Sequence, residues 1–108
     1  LGAYESGRHI GVATFLISDA TEAPIKIENA MYYQLRGMGV LPDQQGKGVG
    51  KLLMLQGMDK LRDLGIDVLW FNARIIALPF YERLGFEKTG EPFEVPKIGA
   101  HYKMYKKL

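Results

Sequence analysis

The chain has 108 residues, of which 47% are apolar and 24% are charged, and its formal net charge is +2. This length suits one domain, residues 1–108, and the composition is typical of a globular domain with a buried core. A net charge this small does not indicate nucleic-acid binding. The absence of cysteine excludes disulfides, thiolate zinc sites and cysteine nucleophiles.

The chain also lacks the segments that mark membrane or secreted proteins. No apolar run approaches the roughly 18 residues that a membrane-spanning helix needs, and no signal peptide opens the sequence. We therefore expect a cytoplasmic protein that binds no membrane. The lysines near the end, Lys103, Lys106 and Lys107, are interpreted as a solvated strand end. Because the first residue is Leu1, we expect the natural protein to extend further at its N-terminus.

Strand signals recur along the chain. In chain order, β-branched, aromatic and alternating residues predict five strands, at residues 9–17, 30–40, 68–72, 86–89 and 101–106. Residues 1–4 are interpreted as the end of another strand, joined to the first by a hairpin turn at residues 5–7. Gly37 and Gly39 inside the strand at 30–40 indicate a bulge or the close approach of a ligand.

Two segments carry apolar residues at helical spacing. Residues 48–64 predict a helix whose apolar face consists of Val49, Leu53, Met54, Met58, Leu61 and Leu64. Gly57 is expected to pack closely against a sheet, and Gly65 to end the helix in a left-handed conformation. Residues 75–84 predict a second helix carrying Ile76, Phe80 and Leu84, in which Pro79 produces a kink or delays the start. This order of elements predicts an α/β or α+β layered domain with helices against one sheet.

Residues 45–50, Gln-Gly-Lys-Gly-Val-Gly, follow a predicted strand and open the first helix. The first turn of a helix has free backbone N–H groups and the positive end of the helix dipole. Glycines allow that backbone to approach an anion without clashes, and Lys47 adds a positive charge. The segment therefore predicts a phosphate site; the alternative is a glycine-rich helix start without a ligand.

Neither common nucleotide motif fits this segment. A P-loop would need glycine where Leu41 stands and serine or threonine where Gly48 stands. The dinucleotide fingerprint fails at Lys51 when counted from Gly46, and at Pro42 when counted from Gly37.

A different pattern, Q/R-x-x-G-x-G/A, fits Gln45, Gly48 and Gly50. The segment resembles the pyrophosphate loop of the GNAT superfamily of acyl-CoA-dependent N-acyltransferases. Residues 77–86, Ala-Leu-Pro-Phe-Tyr-Glu-Arg-Leu-Gly-Phe, resemble the A-x-x-F-Y-x-x-x-G-F segment of the same superfamily, in the right order. Residues 99–104 look like the closing strand of one bacterial branch. The resemblance covers nearly the whole chain.

The resemblance implies a fold: a mixed, mostly antiparallel sheet, splayed between the strands at 30–40 and 68–72, with helices packed on it. The first strand and helices of the family are mostly absent from this sequence. In the family, those helices commonly line the acceptor pocket, and pantetheine lies in the cleft between the splayed strands.

The resemblance also implies a set of site residues. The backbones of Met38 and Val40 would hold pantetheine, the amides of residues 45–50 would hold pyrophosphate, and Tyr81 would act as general acid. The complete set implied for the cofactor is Met38, Gly39, Val40, Gln45, Gly46, Lys47, Gly48, Val49, Gly50, Lys51, Asn72, Arg74, Phe80 and Arg83. The family often has asparagine where Arg74 stands here, with Asn72 two residues earlier. Arg83 is equally well interpreted as a surface ion pair.

Chemically, an amine would attack the thioester directly, in a ternary complex. A backbone N–H at Met38 or a neighbour would stabilise the oxyanion, and Tyr81 would protonate the departing thiolate. The sequence does not identify the base: His101, which joins Tyr81 in the predicted catalytic set, and Glu94 are the candidates. The alternatives are a structural strand histidine for His101 and a core aromatic for Tyr81; Trp70 and Phe71 are expected in the core.

The predicted function is transfer of an acetyl group from acetyl-CoA to a primary amine of a small molecule or protein. The predicted partners are acyl-CoA, an amine and a second copy of the chain in a homodimer; no metal and no nucleic acid are expected. A non-catalytic acyl-CoA-binding regulatory module is the alternative. A nucleic-acid binder ranks last because it leaves residues 45–50 and Tyr81 unexplained.

Overall fold

The computed structural model describes residues 1–5, 7–19 and 21–108, which form one sheet with two α-helices. The strands are β1 (Gly2–Glu5), β2 (Arg8–Ser18), β3 (Tyr32–Val40), β4 (Val68–Arg74), β5 (Glu87–Val95) and β6 (Gly99–Lys107). The α-helices are α1 (Val49–Asp63) and α2 (Leu78–Arg83), and short 3-10 turns cover Pro42–Gln44 and Ile75–Ala77. The predicted hairpin turn at residues 5–7 includes Ser6, which lies outside the described residues.

The sheet is mixed and splayed, as predicted. Its strand order is β1-β2-β3-β4-β6-β5, and every neighbouring pair is antiparallel except β3 and β4. These two parallel strands are in register from Tyr32 opposite Val68 to Gln34 opposite Trp70. Beyond these residues β3 continues to Val40 and β4 to Arg74, but the two strands no longer pair with each other. A gap therefore opens between them within the described sheet.

The first helix forms and ends where the sequence predicts. Its N-cap is Gly48, and Gly65 follows its C-cap with φ of 79°. At Gly57 a Cβ atom would lie 2.4 Å from Phe15 Cζ, so the absence of a side chain lets α1 approach β2. Leu64, predicted on the apolar face, is 67% exposed because the helix ends at Asp63 and the chain turns away.

The second helix starts later than predicted. Residues Ile75–Ala77 form a 3-10 turn, and α2 begins at Leu78 with Pro79 in its first turn. Proline suits this position because its missing N–H would have no partner there. Ile76 was expected beside Phe80 and Leu84, but it is 85% exposed because it precedes the α-helical periodicity.

The sheet has two different faces. On the face that carries both helices, hereafter the helix face, the core contains Leu53, Met58, Leu69, Phe71 and Met104. On the opposite face, hereafter the open face, a smaller cluster is built from Ala23, Tyr32, Val68 and Trp70. Trp70 and Phe71 are both buried, which confirms the prediction that they belong to the core.

The C-terminal lysines differ from one another. Lys106 Nζ donates to the Leu84 carbonyl at 2.8 Å, beside the end of α2, and Lys103 Nζ donates to the Glu22 carbonyl at 3.2 Å. The predicted solvated strand end therefore holds for Lys107, which is exposed, and for Lys103, whose bond lies at the exposed surface, but not for Lys106, whose bond is partly buried. A cation near the carbonyl end of a helix is favourable.

Replacing Lys106 by methionine keeps the length of the side chain and removes its ammonium group. We expect the free energy of unfolding to fall by about 1 kcal/mol, because the Leu84 carbonyl loses its charged donor. Urea denaturation measures this change, with Lys107→Met as the matched control. Equal stabilities of the two variants would contradict the role given to Lys106.

Candidate active site

A cleft of about 480 Å³ opens on the helix face, beside the gap between β3 and β4. Its lining comes from the end of β3, the start of α1 and the segment around α2. The lining residues are Met38, Val40, Gln44, Gln45, Gly46, Gly48, Val49, Gly50, Lys51, Ala77, Phe80, Tyr81 and Arg83. The two sequence motifs, distant along the chain, therefore meet in one cavity.

The start of α1 provides an anion site at one wall of this cleft. Gly46 and Gly48 have φ of 81° and 83°, and a Cβ atom on either would meet nothing within 4 Å. The Leu52 amide donates to the Gly48 carbonyl at 3.0 Å, so the amides of the preceding residues come before the first helical bond. Among the residues that the structure describes, no side chain caps this end, and no acidic residue lies in its first turn. The backbone is therefore open to a negatively charged group.

The charges around the cleft favour the same ligand. Lys51 and Arg83 line it, Lys47 lies in the adjoining loop, and no carboxylate is among its described lining residues. Within the described part of the chain, Arg83 forms no ion pair, so the surface ion pair considered for it is absent there. A cavity of this charge attracts phosphate groups.

Gln45 fastens the loop to the sheet. Its Nε2 donates to the Val40 carbonyl oxygen at 3.1 Å, across the turn that connects β3 to α1. The side chain thus holds the loop in place, and the backbone is left to face the ligand. The neighbouring Gln44 is only 7% exposed and also lines the cleft. The sequence analysis missed Gln44, because nothing in the sequence distinguishes a buried glutamine from an exposed one.

We expect Gln45→Ala to weaken acetyl-CoA binding about fivefold, with a smaller change in kcat, because one loop-holding hydrogen bond is lost. Calorimetric titration measures the affinity. Gln56→Ala, an exposed glutamine on α1, is the matched control. If both variants bind as tightly as the natural protein, Gln45 does not organise the loop.

Tyr81 lies over the cleft from α2. Its ring packs 4.4 Å from the Phe71 centroid and 5.0 Å from that of Phe80, and the residue is 9% exposed. Burial raises the pKa of the Tyr81 hydroxyl above its ordinary value near 10. Its hydroxyl has no hydrogen-bond partner among the described residues. At neutral pH the group is therefore protonated, and it can donate a proton into the cleft.

Several residues of the predicted set do not line this cleft. Gly39 borders a separate apolar cavity with Val12, and Lys47 is exposed beside the loop. Asn72 lines a cavity on the open face, and Arg74 is exposed at the end of β4. Alternation along β4 explains both, because Phe71 and Ala73 occupy its helix face. Their predicted cofactor roles thus stay predictions without a contact to the cleft.

The predicted base is also remote from the cleft. His101 is 8% exposed, its Nδ1 lies 2.9 Å from the Gly99 carbonyl oxygen, and its ring centroid is 5.8 Å from that of Phe93. It stands on β6 opposite Arg74, so β4 separates it from β3. These contacts favour the structural alternative for His101. Glu94 is exposed on the outer strand β5.

A cavity of about 470 Å³ lies on the open face beside the same gap. Its lining comes from β3, β4, β6 and the loop between β2 and β3. The lining residues are Gln34, Leu35, Arg36, Trp70, Asn72, Lys103 and Glu22. The gap is thus flanked by one cavity on each face of the sheet. A group held in the gap can be approached from both.

Two further properties of the described residues bear on the chemistry. They contain no cluster of three or more histidine, cysteine or acidic side chains able to hold a metal ion. Their helices are too short or too polar for any of them to cross a membrane.

The splayed sheet, the bare helix start and Tyr81 in one cleft are the features that the sequence resemblance implies for an acyl-CoA-dependent transferase. The family model described as Acetyltransferase (GNAT) family matches residues 1–86. The chain belongs to this family, which makes acyl transfer to an amine its class of reaction and confirms the resemblance found in the sequence.

Relatives and solved structures agree with this assignment. The uncharacterized N-acetyltransferase YitI of Bacillus subtilis (strain 168) is 34% identical over 108 residues, which are 100% of this chain and 70% of YitI. The ribosomal-protein-S18-alanine N-acetyltransferase of Escherichia coli has a TM-score of 0.73 at 22% identity, over 96% of this chain and 64% of that one. Naa50 of Arabidopsis thaliana, in complex with the bisubstrate analogue CoA-Ac-MVNAL, has a TM-score of 0.77 at 20% identity, over 97% and 70%. These two structures share the fold.

Proposed function

We propose that the protein transfers an acetyl group from acetyl-CoA to a primary amine of a small molecule or protein, by direct attack in a ternary complex. One observation carries this proposal: the bare start of α1 and the protonated hydroxyl of Tyr81 line the same cavity. An anion site alone would fit many ligands. Its combination with a proton donor fits a ligand that has a pyrophosphate at one end and a leaving thiolate at the other.

The residues that would hold acetyl-CoA have suitable chemistry. Pyrophosphate would bind the amides that open α1, near Lys51 and Arg83. Beyond Gln34, the edge of β3 that faces β4 has no strand partner among the described residues, and an extended pantetheine chain can pair with such an edge. Met38 and Val40 are on this stretch and also line the cleft.

Acetyl-CoA supplies the thioester in this reaction. The amine nitrogen forms a bond to the thioester carbonyl carbon, and the bond from that carbon to sulfur breaks. We propose that the Met38 N–H stabilises the developing oxyanion, and that Tyr81 gives its proton to the thiolate. The proton lost by the amine passes to water, after which Tyr81 recovers its own proton from solvent.

Calorimetric titration with acetyl-CoA, followed by an assay of free thiol release with a panel of amines, tests the proposal. We expect saturable binding, a raised melting temperature at saturation and thiol release with at least one amine. Absence of both heat and thermal stabilisation would contradict acetyl-CoA binding. Tight binding without thiol release across the panel would favour the non-catalytic regulatory module.

Domain organisation, cellular location and oligomeric state are also proposals. We propose that residues 1–108 form one domain, that the protein is cytoplasmic and that it forms a homodimer. The exposed apolar side chains of Val12 and Leu16, which lie on one face of β2, support the homodimer. Sedimentation at several protein concentrations tests it, and a monomer at every concentration would contradict it.

A further inference from the structure

The cavity on the open face has a charge pattern that the proposed reaction does not explain. The described residues of its wall include two cations, Arg36 and Lys103, and one carboxylate, that of Glu22. The Arg36 guanidinium donates to Gln34 Oε1 at 3.3 Å and meets no carboxylate among the described residues. Lys103 Nζ bonds to a backbone carbonyl oxygen, not to the Glu22 carboxylate. The wall therefore carries a net positive charge.

The floor of this cavity is fixed in place. Trp70 is buried, and its Nε1 donates to Ser18 Oγ at 2.9 Å, across the sheet from β4 to the end of β2. Lys103 Nζ lies 5.5 Å above the centre of the Trp70 ring, which holds the ammonium group over the cavity floor. The lysine charge is therefore held in position without an acidic partner in the described part of the chain.

A third donor completes the set. Asn72 lines the same cavity and is exposed, and within the described residues its amide has no partner. Guanidinium, ammonium and amide N–H groups around one space are the donors that bind carboxylate or phosphate oxygens. Burial of such an anion would neutralise the excess charge of the wall.

We propose that this cavity binds an anionic group of the acceptor, so that the preferred substrates are amines that also carry a carboxylate or a phosphate. The inference rests on the proposed function, because it assigns the acceptor to the face opposite the acetyl-CoA cleft. From there the amine reaches the gap between β3 and β4, and the anionic group remains between Arg36 and Lys103.

Matched pairs of amines test the charge preference. The first pair is 4-aminobutanoate and 4-aminobutanamide, and the second is 2-aminoethyl phosphate and ethanolamine. We expect kcat/KM to be about tenfold higher for the anionic member of at least one pair, as one charge-assisted hydrogen bond would give. The pair with the larger ratio distinguishes a carboxylate from a phosphate.

Three variants connect that ratio to the cavity. Arg36→Gln and Lys103→Met each remove one cation, and the methionine keeps the apolar contact with Trp70. Both should lower the ratio towards one. Lys88→Met is the matched control, because Lys88 Nζ lies 5.0 Å from the centre of the Tyr102 ring and does not line the cavity. The control should keep the ratio of the natural protein.

Failure of the inference differs from failure of the proposed function. Equal kcat/KM values within both pairs, or a ratio that survives in both cavity variants, would overturn the inference while the enzyme remains active. If acetyl-CoA binds but no amine is acetylated, the proposed function fails. Titration of the CoA-loaded protein with 4-aminobutanoate and 2-aminoethyl phosphate then decides: heat that is lost in Arg36→Gln supports the anion site, and absence of heat overturns it.

Discussion

Replacement of Tyr81 by phenylalanine is expected to lower kcat by about 100-fold, the lower range for loss of a general acid. The ring contacts with Phe71 and Phe80 remain, so acetyl-CoA affinity and stability should change little. The reason is specific to the hydroxyl, because Tyr81 lines the cleft and we propose that its proton is the one given to the thiolate. Initial rates of thiol release at saturating substrates measure the effect.

The pH dependence of this prediction follows from the direction of the pKa shift. Because burial raises the pKa of Tyr81 above about 10, its proton-donating form persists up to that pH. The natural enzyme should lose activity as the pH rises through the shifted value, whereas Tyr81→Phe should show no such loss. Tyr102→Phe is the control, because Tyr102 packs against the same core cluster as Tyr81 and does not line the cleft. Similar rates for natural protein and Tyr81→Phe across this range would exclude Tyr81 as the acid.

Gly48→Ala is expected to weaken acetyl-CoA binding by more than tenfold. The residue has φ of 83°, where a Cβ atom costs about 1–2 kcal/mol, and we expect that atom to enter the proposed phosphate site, because Gly48 lines the cleft. The substitution therefore both strains the loop and narrows the anion site. Calorimetry with acetyl-CoA gives the affinity, and urea denaturation gives the stability.

Gly65→Ala separates these two effects. Gly65 follows the other end of α1 with φ of 79°, and a Cβ atom there also meets nothing within 4 Å. It should lose a similar amount of stability and keep its affinity for acetyl-CoA. If the two variants lose affinity equally, the effect of Gly48→Ala is general destabilisation, and the anion site at α1 is not supported.

Much of the fold could be predicted because local signals agreed with it. The helix α1 has an apolar stripe, a glycine at each end and a close contact at Gly57, and the sequence predicts all three features. The cleft was predictable because two motifs determine it, one at each wall. The start of α2 was less certain, since Pro79 permits either a kink or a late start, and Ile76 fell in the 3-10 turn.

The positions that the sequence could not give depend on which face of a strand a residue occupies. Asn72 and Arg74 alternate with Phe71 and Ala73, so the burial of the latter pair decides where the former point. For His101, partners such as Phe93 are set by the register of β5 and β6, which the sequence does not contain. The cavity with Arg36 and Lys103 joins three strands and a loop, and no local pattern could indicate it.

The short parallel contact between β3 and β4 joins the two halves of the sheet at one end only. Strands β1, β2 and β3 form one half of the sheet, and β4, β6 and β5 form the other half. At the joined end, the backbone amide of Met31 donates to Asp67 Oδ2 at 2.7 Å. The backbone amides of Asp67 and Val68 donate to the Met31 carbonyl oxygen at 2.9 and 3.1 Å. These bonds hold the two halves of the sheet together at that end, and the Trp70 Nε1–Ser18 Oγ hydrogen bond links β4 to β2 on the open face. At the other end, beyond Gln34 and Trp70, the described residues of β3 and β4 share no backbone pairing, so the gap can widen there without loss of a bond in the sheet ladder.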